Sequence, residues 1–258
     1  MEQTEARWPL DRRHESLIAL VEKTAVAITG DDDVSQAELK NTHEGWIATV
    51  FATRCARNLK AVATLCKAGY ATEAVPIVRA MLEDAVTVAY IEADPDVRAR
   101  KYVDFEETRA YFYMKEALKA ELVDESSERV KELTQKYGEV EDLDEVWWCG
   151  VGPGGMAGKL KGTHKPLRRD FFAMYPLLSD DAHGNAMSAR NYTVQDEAGD
   201  TVAFVHAPTQ YRVDEVAAFA IYCAWRLAEA AAACGFTVAA TEIQGLLAEG
   251  SAVYRGQP

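Results

Sequence analysis

Apolar residues recur at intervals of three and four along most of the chain, which is the spacing of amphipathic α-helices. The strongest example is residues 71–92, where nearly every position is apolar. A helix of this kind is buried on most of its faces, so we predict that the fold is built around it. Beyond its first turn, its few polar residues are Arg79, Glu83, Asp84, Thr87, Tyr90 and Glu92.

The same spacing predicts several more helices. Gly69 and Gly235 follow two of them, as glycines do at helix ends, and Asp94 with Pro95 is typical of a helix start. We therefore predict the all-α class, a single-domain bundle of about six to eight helices. The further helices are expected over 12–29, 36–68, 95–120, 126–137, 166–189, 212–234 and 238–248.

Two segments interrupt the helical pattern. Residues 138–165 contain paired tryptophans, Trp147 and Trp148, followed by a cluster of glycines, and we predict an ordered loop or lid because clustered glycine disfavours helix. Short β-prone runs around 192–194 and 202–205 flank a turn-forming sequence. They predict a small β-hairpin insertion near 190–206.

The predicted organisation has one core. We expect residues 1–35 to form an N-terminal helix and linker, residues 36–250 to form the helical bundle, and residues 251–258 to be a flexible tail. No internal repeat or low-complexity tract suggests a second domain.

Composition narrows the classes of function. The chain of 258 residues is 48% apolar and 27% charged, which is ordinary for a globular protein. Its formal net charge of -13 repels the phosphate backbone, so nucleic acid is disfavoured as a partner. A local basic patch would be needed to overcome this charge. The densest basic cluster is Lys159, Lys161, His164, Lys165, Arg168 and Arg169.

The chain also lacks the marks of export. It contains no run of eighteen apolar residues, and its first residues are acidic rather than basic and apolar, so we expect a cytoplasmic protein with no membrane partner. Five cysteines are an odd number, and most lie in predicted helices, so we expect reduced thiols.

The first candidate for chemistry is a polar stripe on the central helix. Arg79, Glu83 and Tyr90 fall within roughly 40° of one another on a helical wheel, and the first two are four residues apart and can pair. Burying a charged pair is costly unless further hydrogen-bond partners or a ligand are present. The stripe is therefore either an internal ion pair or part of a functional pocket.

A second candidate lies late in the predicted helix 166–189. Ser179 and His183 are four residues apart, one helical turn, and an imidazole can act as acid or base near neutral pH. We hypothesise that they join the polar stripe in one pocket, covered by the loop with Trp147 and Trp148. In that pocket Arg79, Tyr90, Ser179, Trp147 and Trp148 would bind ligand, and His183, Glu83 and Arg79 would be catalytic.

Metal ions and cofactors are not predicted. The Glu-x-x-His spacing of di-metal helical bundles is absent, and Asp-x-x-His occurs only as Asp11/His14 and Asp180/His183. No Cys-x-x-Cys suggests zinc, and the glycine cluster does not match a phosphate-binding loop.

Several short motifs in order resemble a known family. The motifs are Gly69, Arg79-Ala80-Met81-Leu82-Glu83, Tyr90-Ile91, Asp94-Pro95, Trp147-Trp148-Cys149-Gly150, Tyr175-Pro176-Leu177-Leu178-Ser179 and His183-Gly184. Over about residues 40–230 the chain resembles the bacterial family known as domain of unknown function 5677. The resemblance implies an all-α domain in which Arg79, Glu83, Ser179 and His183 match the recurrent polar positions. It implies no reaction.

Three functions stay open at this point. The first is binding of a small polar or anionic molecule in the predicted pocket, with acid–base chemistry at His183. The second is a metal-independent ribonuclease of the HEPN type, from a toxin or phage-defence system, although the Arg-x4–6-His motif of that group is missing. The third is an interaction module without chemistry, which predicts a homodimer through an apolar face on residues 97–120 or 212–234.

Overall fold

A computed structural model describes residues 10–29, 42–124, 126–139, 148–182, 192–195, 198, 201–204, 208–235 and 240–255. This part of the chain is predominantly helical, which confirms the all-α class. The helices are α1 (Arg12–Thr29), α2 (His43–Lys67), α3 (Ala71–Glu92), α4 (Pro95–Lys119), α5 (Glu128–Tyr137), α6 (Pro153–Lys159), α7 (Lys165–Ala182), α8 (Val213–Ala233) and α9 (Ala240–Tyr254).

Two short strands lie where the sequence predicts a β-hairpin. β1 (Thr193–Gln195) and β2 (Thr201–Phe204) pair in antiparallel orientation. Much of the remaining 190–206 segment lies outside the described residues, so a hairpin insertion as a unit stays a prediction.

Helix α3 is the centre of the bundle and spans the predicted residues 71–92. It packs against α2, α4, α6, α7 and α8. Val78, Leu82 and Val86 have no solvent-exposed surface, and even the polar Asp84 and Thr87 are buried. A helix that is apolar on most sides is stable only when neighbours cover those sides, and here five helices do so.

The N-terminal and C-terminal helices belong to the same core. Helix α1 packs against α2, α8 and α9, and its Leu17 and Val21 are fully buried. Helix α9 continues to Tyr254, although the sequence predicts an end at 248 and a tail from 251. The helix extends because Leu247 and Val253 pack against the core. Residues 251–254 are therefore helical, and that part of the tail prediction is wrong.

The glycine-rich segment is another correction, because residues 153–159 form helix α6 rather than a loop. Pro153 begins the helix, where its missing N–H costs nothing. Met156 and Ala157 are buried in the core, and this burial outweighs the poor helix propensity of glycine. Gly155 also lets the helix approach Val151, whose Cβ would lie only 2.7 Å from a Cβ added to the glycine.

Helix α8 is the one helix in the described part of the chain that is long and apolar enough to cross a membrane. Only the length and the composition of α8 meet the requirements of a membrane span. In the fold, 61% of its most apolar stretch is buried, as in the core helix of a soluble protein, so it is weak evidence for a membrane span.

Candidate functional site

The predicted pair of Arg79 and Glu83 is present on α3. Arg79 Nε lies 3.1 Å from Glu83 Oε1, and Arg79 Nη2 donates a hydrogen bond of 2.7 Å to the Tyr175 hydroxyl on α7. The guanidinium also lies over the Tyr175 ring, with its central carbon 4.9 Å from the ring centroid. Arg79 is thus engaged on both helices, an arrangement that links α3 to α7.

The hydroxyl of Tyr175 gives a direct measure of this link. Tyr175→Phe removes the acceptor for Arg79 but keeps the ring, and we expect it to lower the free energy of unfolding by about 1 kcal/mol in urea denaturation. Tyr113→Phe is the matched control, because the Tyr113 hydroxyl accepts a similar bond from Arg109 on an exposed surface. An equal loss of stability in both variants would show that the hydrogen bond from Arg79 contributes no more than an exposed one.

Helix α7 runs antiparallel to α3, which places Ser179 away from Glu83. In the first half of α3, Arg79 contacts Tyr175 of α7. At the end of α3, Glu92 Oε2 lies 3.0 Å from Nε2 of His164, the residue before the start of α7. Ser179 is one turn beyond Tyr175, so it lies toward the start of α3. Ser179 and Glu83, two residues of the predicted pocket, therefore lie on opposite sides of Arg79 along α3. His183 and Trp147 lie outside the described residues, and their predicted roles remain predictions.

Tyr90 and Trp148 belong together but do not join Arg79. The Tyr90 ring is buried and meets the Trp148 ring edge-on, with centroids 5.7 Å apart. Its other partner is Arg98, whose guanidinium carbon lies 3.9 Å from the Tyr90 centroid. Tyr90 is eleven residues from Arg79, which separates their Cα atoms by roughly 16 Å along the helix axis. It therefore does not form a pocket with Arg79.

A polar cavity that includes Glu83 in its lining lies between α2, α3, α4, α6 and the segment before α6. Its volume is about 150 Å³. Five acidic or basic side chains from three helices line it together with four aromatic rings and the Thr87 hydroxyl. The lining residues are Phe51, Arg54, Glu83, Asp84, Thr87, Tyr102, Phe105, Glu106, Arg109, Trp148, Pro153 and Met156.

Asp84 is the most unusual residue of the polar cavity. Its side chain is 8% exposed, and Oδ2 has no hydrogen-bond partner within the described residues. Arg54 Nε lies 3.3 Å from that oxygen, and the Arg54 side chain is 54% exposed. Burial raises the pKa of Asp84 from 3.8 to about 7, with a smaller opposing effect of Arg54 and a further raising effect of Glu83. Burial therefore favours the protonated form of this carboxyl more than the protonated form of a solvent-exposed aspartate.

Aromatic side chains form one wall of the polar cavity. Trp148 meets Tyr102 edge-on at a centroid distance of 5.2 Å, and Tyr102 in turn contacts Phe51 at 5.8 Å. Burial raises the pKa of Tyr102, and the charges of Asp84 and Glu106 raise it further. Tyr102 therefore stays a neutral hydrogen-bonding group at physiological pH.

Sequence reasoning missed most of this cavity. Glu83 and Trp148 are among the predicted site residues, whereas Arg54, Asp84, Tyr102, Glu106 and Arg109 are not. A signal was available in α4, where Tyr102, Glu106 and Arg109 recur at helical spacing and share one face. What the sequence could not supply is the pairing of that face with α2 and α3.

The first Asp-x-x-His spacing places Asp11 Oδ1 3.3 Å from His14 Nδ1, but no third metal ligand joins this pair in the described part of the chain. The Asp11 carboxylate accepts a hydrogen bond of 2.9 Å from the His14 N–H, which makes it a cap for α1. The second spacing includes His183 and lies partly outside the described residues. No cluster of three or more His, Cys, Asp or Glu residues suited to a metal ion occurs among the residues described.

Comparison with known proteins assigns the chain to a family but gives it no activity. No curated protein and no solved structure matches it. A family model described as a family of unknown function, DUF5677, matches residues 45–200, which is more than half of the chain and includes every residue that lines the polar cavity. The chain therefore belongs to the DUF5677 family.

Proposed function

We propose that this protein binds a small polar molecule in the polar cavity and exchanges a proton with it through Asp84. The observation that carries the proposal is the buried Asp84 carboxyl, which lines the cavity with an oxygen that lies 3.3 Å from Arg54 Nε but accepts no hydrogen bond in the described structure. Leaving such an atom buried costs stability, and a ligand that donates to it would recover that cost. Desolvated titratable groups in clefts are common at functional sites.

The charges of the lining suggest the class of ligand. Arg54 and Arg109 supply two guanidinium groups, and Glu83, Asp84 and Glu106 supply three carboxyls. This mixture supports a molecule that carries both hydrogen-bond donors and acceptors, rather than a simple anion. The aromatic wall offers a flat surface on which a ring or planar group can pack.

The size of the cavity limits the ligand. A closed apolar cavity of about 150 Å³ holds a benzene molecule, so a cavity of this volume suits a ligand or ligand fragment of about ten heavy atoms or fewer. Because Arg54 is half-exposed, a larger molecule can extend into solvent on that side.

The neighbours of Asp84 have separate parts in this proposal. The positive charge of Arg54 stabilises the ionised form of Asp84, and this attraction is lost when the carboxyl is protonated again. Glu83 opposes ionisation of Asp84, but Arg79 neutralises much of its charge at 3.1 Å. Arg79 is thus a positioning residue for Glu83, and its engagement with Tyr175 keeps it out of direct ligand binding.

Ligand-observed NMR with a panel of amino acids, nucleosides, sugars and small amides tests the proposal. We expect at least one compound to bind the wild type and to bind Asp84→Asn about tenfold more weakly, because the charged and acidic forms of the carboxyl are lost. Asp104→Asn is the matched control, since Asp104 is an exposed carboxylate on α4. Equal binding by wild type and Asp84→Asn, or no binding by any compound, would contradict the proposal.

The ribonuclease and interaction-module functions that the sequence leaves open remain predictions. So do the cytoplasmic location and the homodimer.

A further inference from the structure

A second cavity lies between α7, α8 and α9. Its volume is about 270 Å³, and it shares no lining residue with the polar cavity. Most of its wall is apolar. The lining residues are Asp170, Ala173, Met174, Ala218, Phe219, Ile221, Tyr222, Leu247, Gly250, Ser251 and Tyr254. We call it the α8 cavity.

One end of the α8 cavity carries a carboxylate with spare hydrogen-bonding capacity. Asp170 Oδ1 accepts a bond of 2.7 Å from Arg169 Nε, and Oδ2 accepts one from the Tyr222 hydroxyl. Burial alone would raise the pKa of Asp170, but the hydrogen bonds from Arg169 and Tyr222 lower it overall, so the group is ionised at neutral pH. An ionised carboxylate accepts up to about four hydrogen bonds.

The charges around Asp170 are already balanced. Arg169 pairs with Asp170. Arg226 Nη2 also lies 3.7 Å from Asp170 Oδ2, and the Arg226 guanidinium donates to the Tyr222 hydroxyl at 2.9 Å and to Glu229 at 2.8 Å. A charged ligand would therefore lose its hydration in an apolar cavity without gaining an unpaired counter-charge. An uncharged ligand with a single donor avoids that cost.

The walls favour an aromatic body. Phe219, Tyr222 and Tyr254 contribute three rings to the lining, and aromatic rings pack well on one another in offset or edge-on arrangements. Since a dry cavity of about 150 Å³ accepts one benzene ring, a volume of 270 Å³ has room for two fused rings.

We propose that the α8 cavity binds an uncharged aromatic molecule of one or two rings, oriented by one N–H or O–H group that donates to Asp170. The body of the ligand lies between Phe219 of α8 and Leu247 of α9. This site is independent of the function proposed for the polar cavity.

Calorimetric titration of the full chain with indole and with 1-methylindole tests the proposal. We expect indole to bind with a Kd of about 0.1 mM, and 1-methylindole, which lacks the N–H donor, about tenfold more weakly. No binding of indole, or equal affinity for both compounds, would overturn it.

The position of the site is tested by filling the cavity. Ala218→Leu adds three carbons to the wall and is expected to weaken indole binding about tenfold, whereas Ala232→Leu, at an exposed position on the same helix, leaves it unchanged. Thermal unfolding of both variants checks that they fold, and the comparison of the two indoles on wild type does not depend on them. Failure of indole to bind, together with concentration-dependent dimerisation in sedimentation, would instead assign this apolar surface to a second copy of the chain.

Discussion

Asp84→Asn is expected to stabilise the protein by about 2 kcal/mol at pH 8 and to leave its stability unchanged near pH 4. Burial penalises the charge of the wild-type carboxyl and raises its pKa from the ordinary value of 3.8 to about 7 in the folded protein. A difference of about three pKa units corresponds to about 4 kcal/mol, which is an upper bound because the asparagine also loses the attraction of Arg54.

The direction of this pH dependence follows from the number of protons that the folded and unfolded states bind. Between pH 4 and pH 7 the folded wild type binds more protons than the unfolded chain, so its stability falls as the pH rises through this range. Because asparagine does not titrate, the free energy of unfolding of the variant does not fall for this reason. The advantage of Asp84→Asn should therefore grow between pH 4 and pH 7 and stay constant above it, as measured by urea denaturation at several pH values.

The exposed Asp104→Asn variant serves as the control, with a change within about 0.5 kcal/mol at every pH. If Asp84→Asn is less stable than wild type at pH 8, the buried carboxylate must be stabilised by interactions other than those described for the cavity, and the prediction is wrong. A stabilising substitution that weakens ligand binding is the pattern expected of a functional site, where stability is sacrificed for activity.

Leu82→Ala is expected to lower the free energy of unfolding by about 3 kcal/mol. Leu82 has no exposed surface in α3, and removing its buried methyl groups both loses transfer free energy and leaves a cavity that five packed helices cannot easily close. The measurement is chemical denaturation, with the midpoint and the slope fitted together.

Leu177→Ala is the control for this prediction, because Leu177 on α7 is 55% exposed. Its expected cost is below about 0.5 kcal/mol. Similar losses for the two leucines would contradict the central position of α3 in the core.

Most of the helices could be predicted from the sequence because they show the local periodicity of apolar residues. Residues 71–92 and 12–29 were bounded correctly by the change from apolar spacing to glycine or acidic residues. Helix α6 was missed because its stability comes from burial of Met156 and Ala157 against the core, which propensity does not include.

The candidate site could be predicted only in part. A helical wheel gives the direction of a side chain but not its distance along the axis, so Tyr90 was grouped with Arg79 although the two are separated by three turns. The polar cavity needs Arg54 from α2, Asp84 from α3 and Arg109 from α4 to converge. That convergence is a tertiary property and has no local signal.

The family match ends at residue 200, before α8 begins, and yet α8 covers α3 over much of its length. A fragment cut to the matched segment would leave α3 open to water along the side that α8 covers. Such a surface recruits other chains or aggregates. The segment that the family model matches is thus smaller than the packed core of this chain, which also includes α1, α8 and α9.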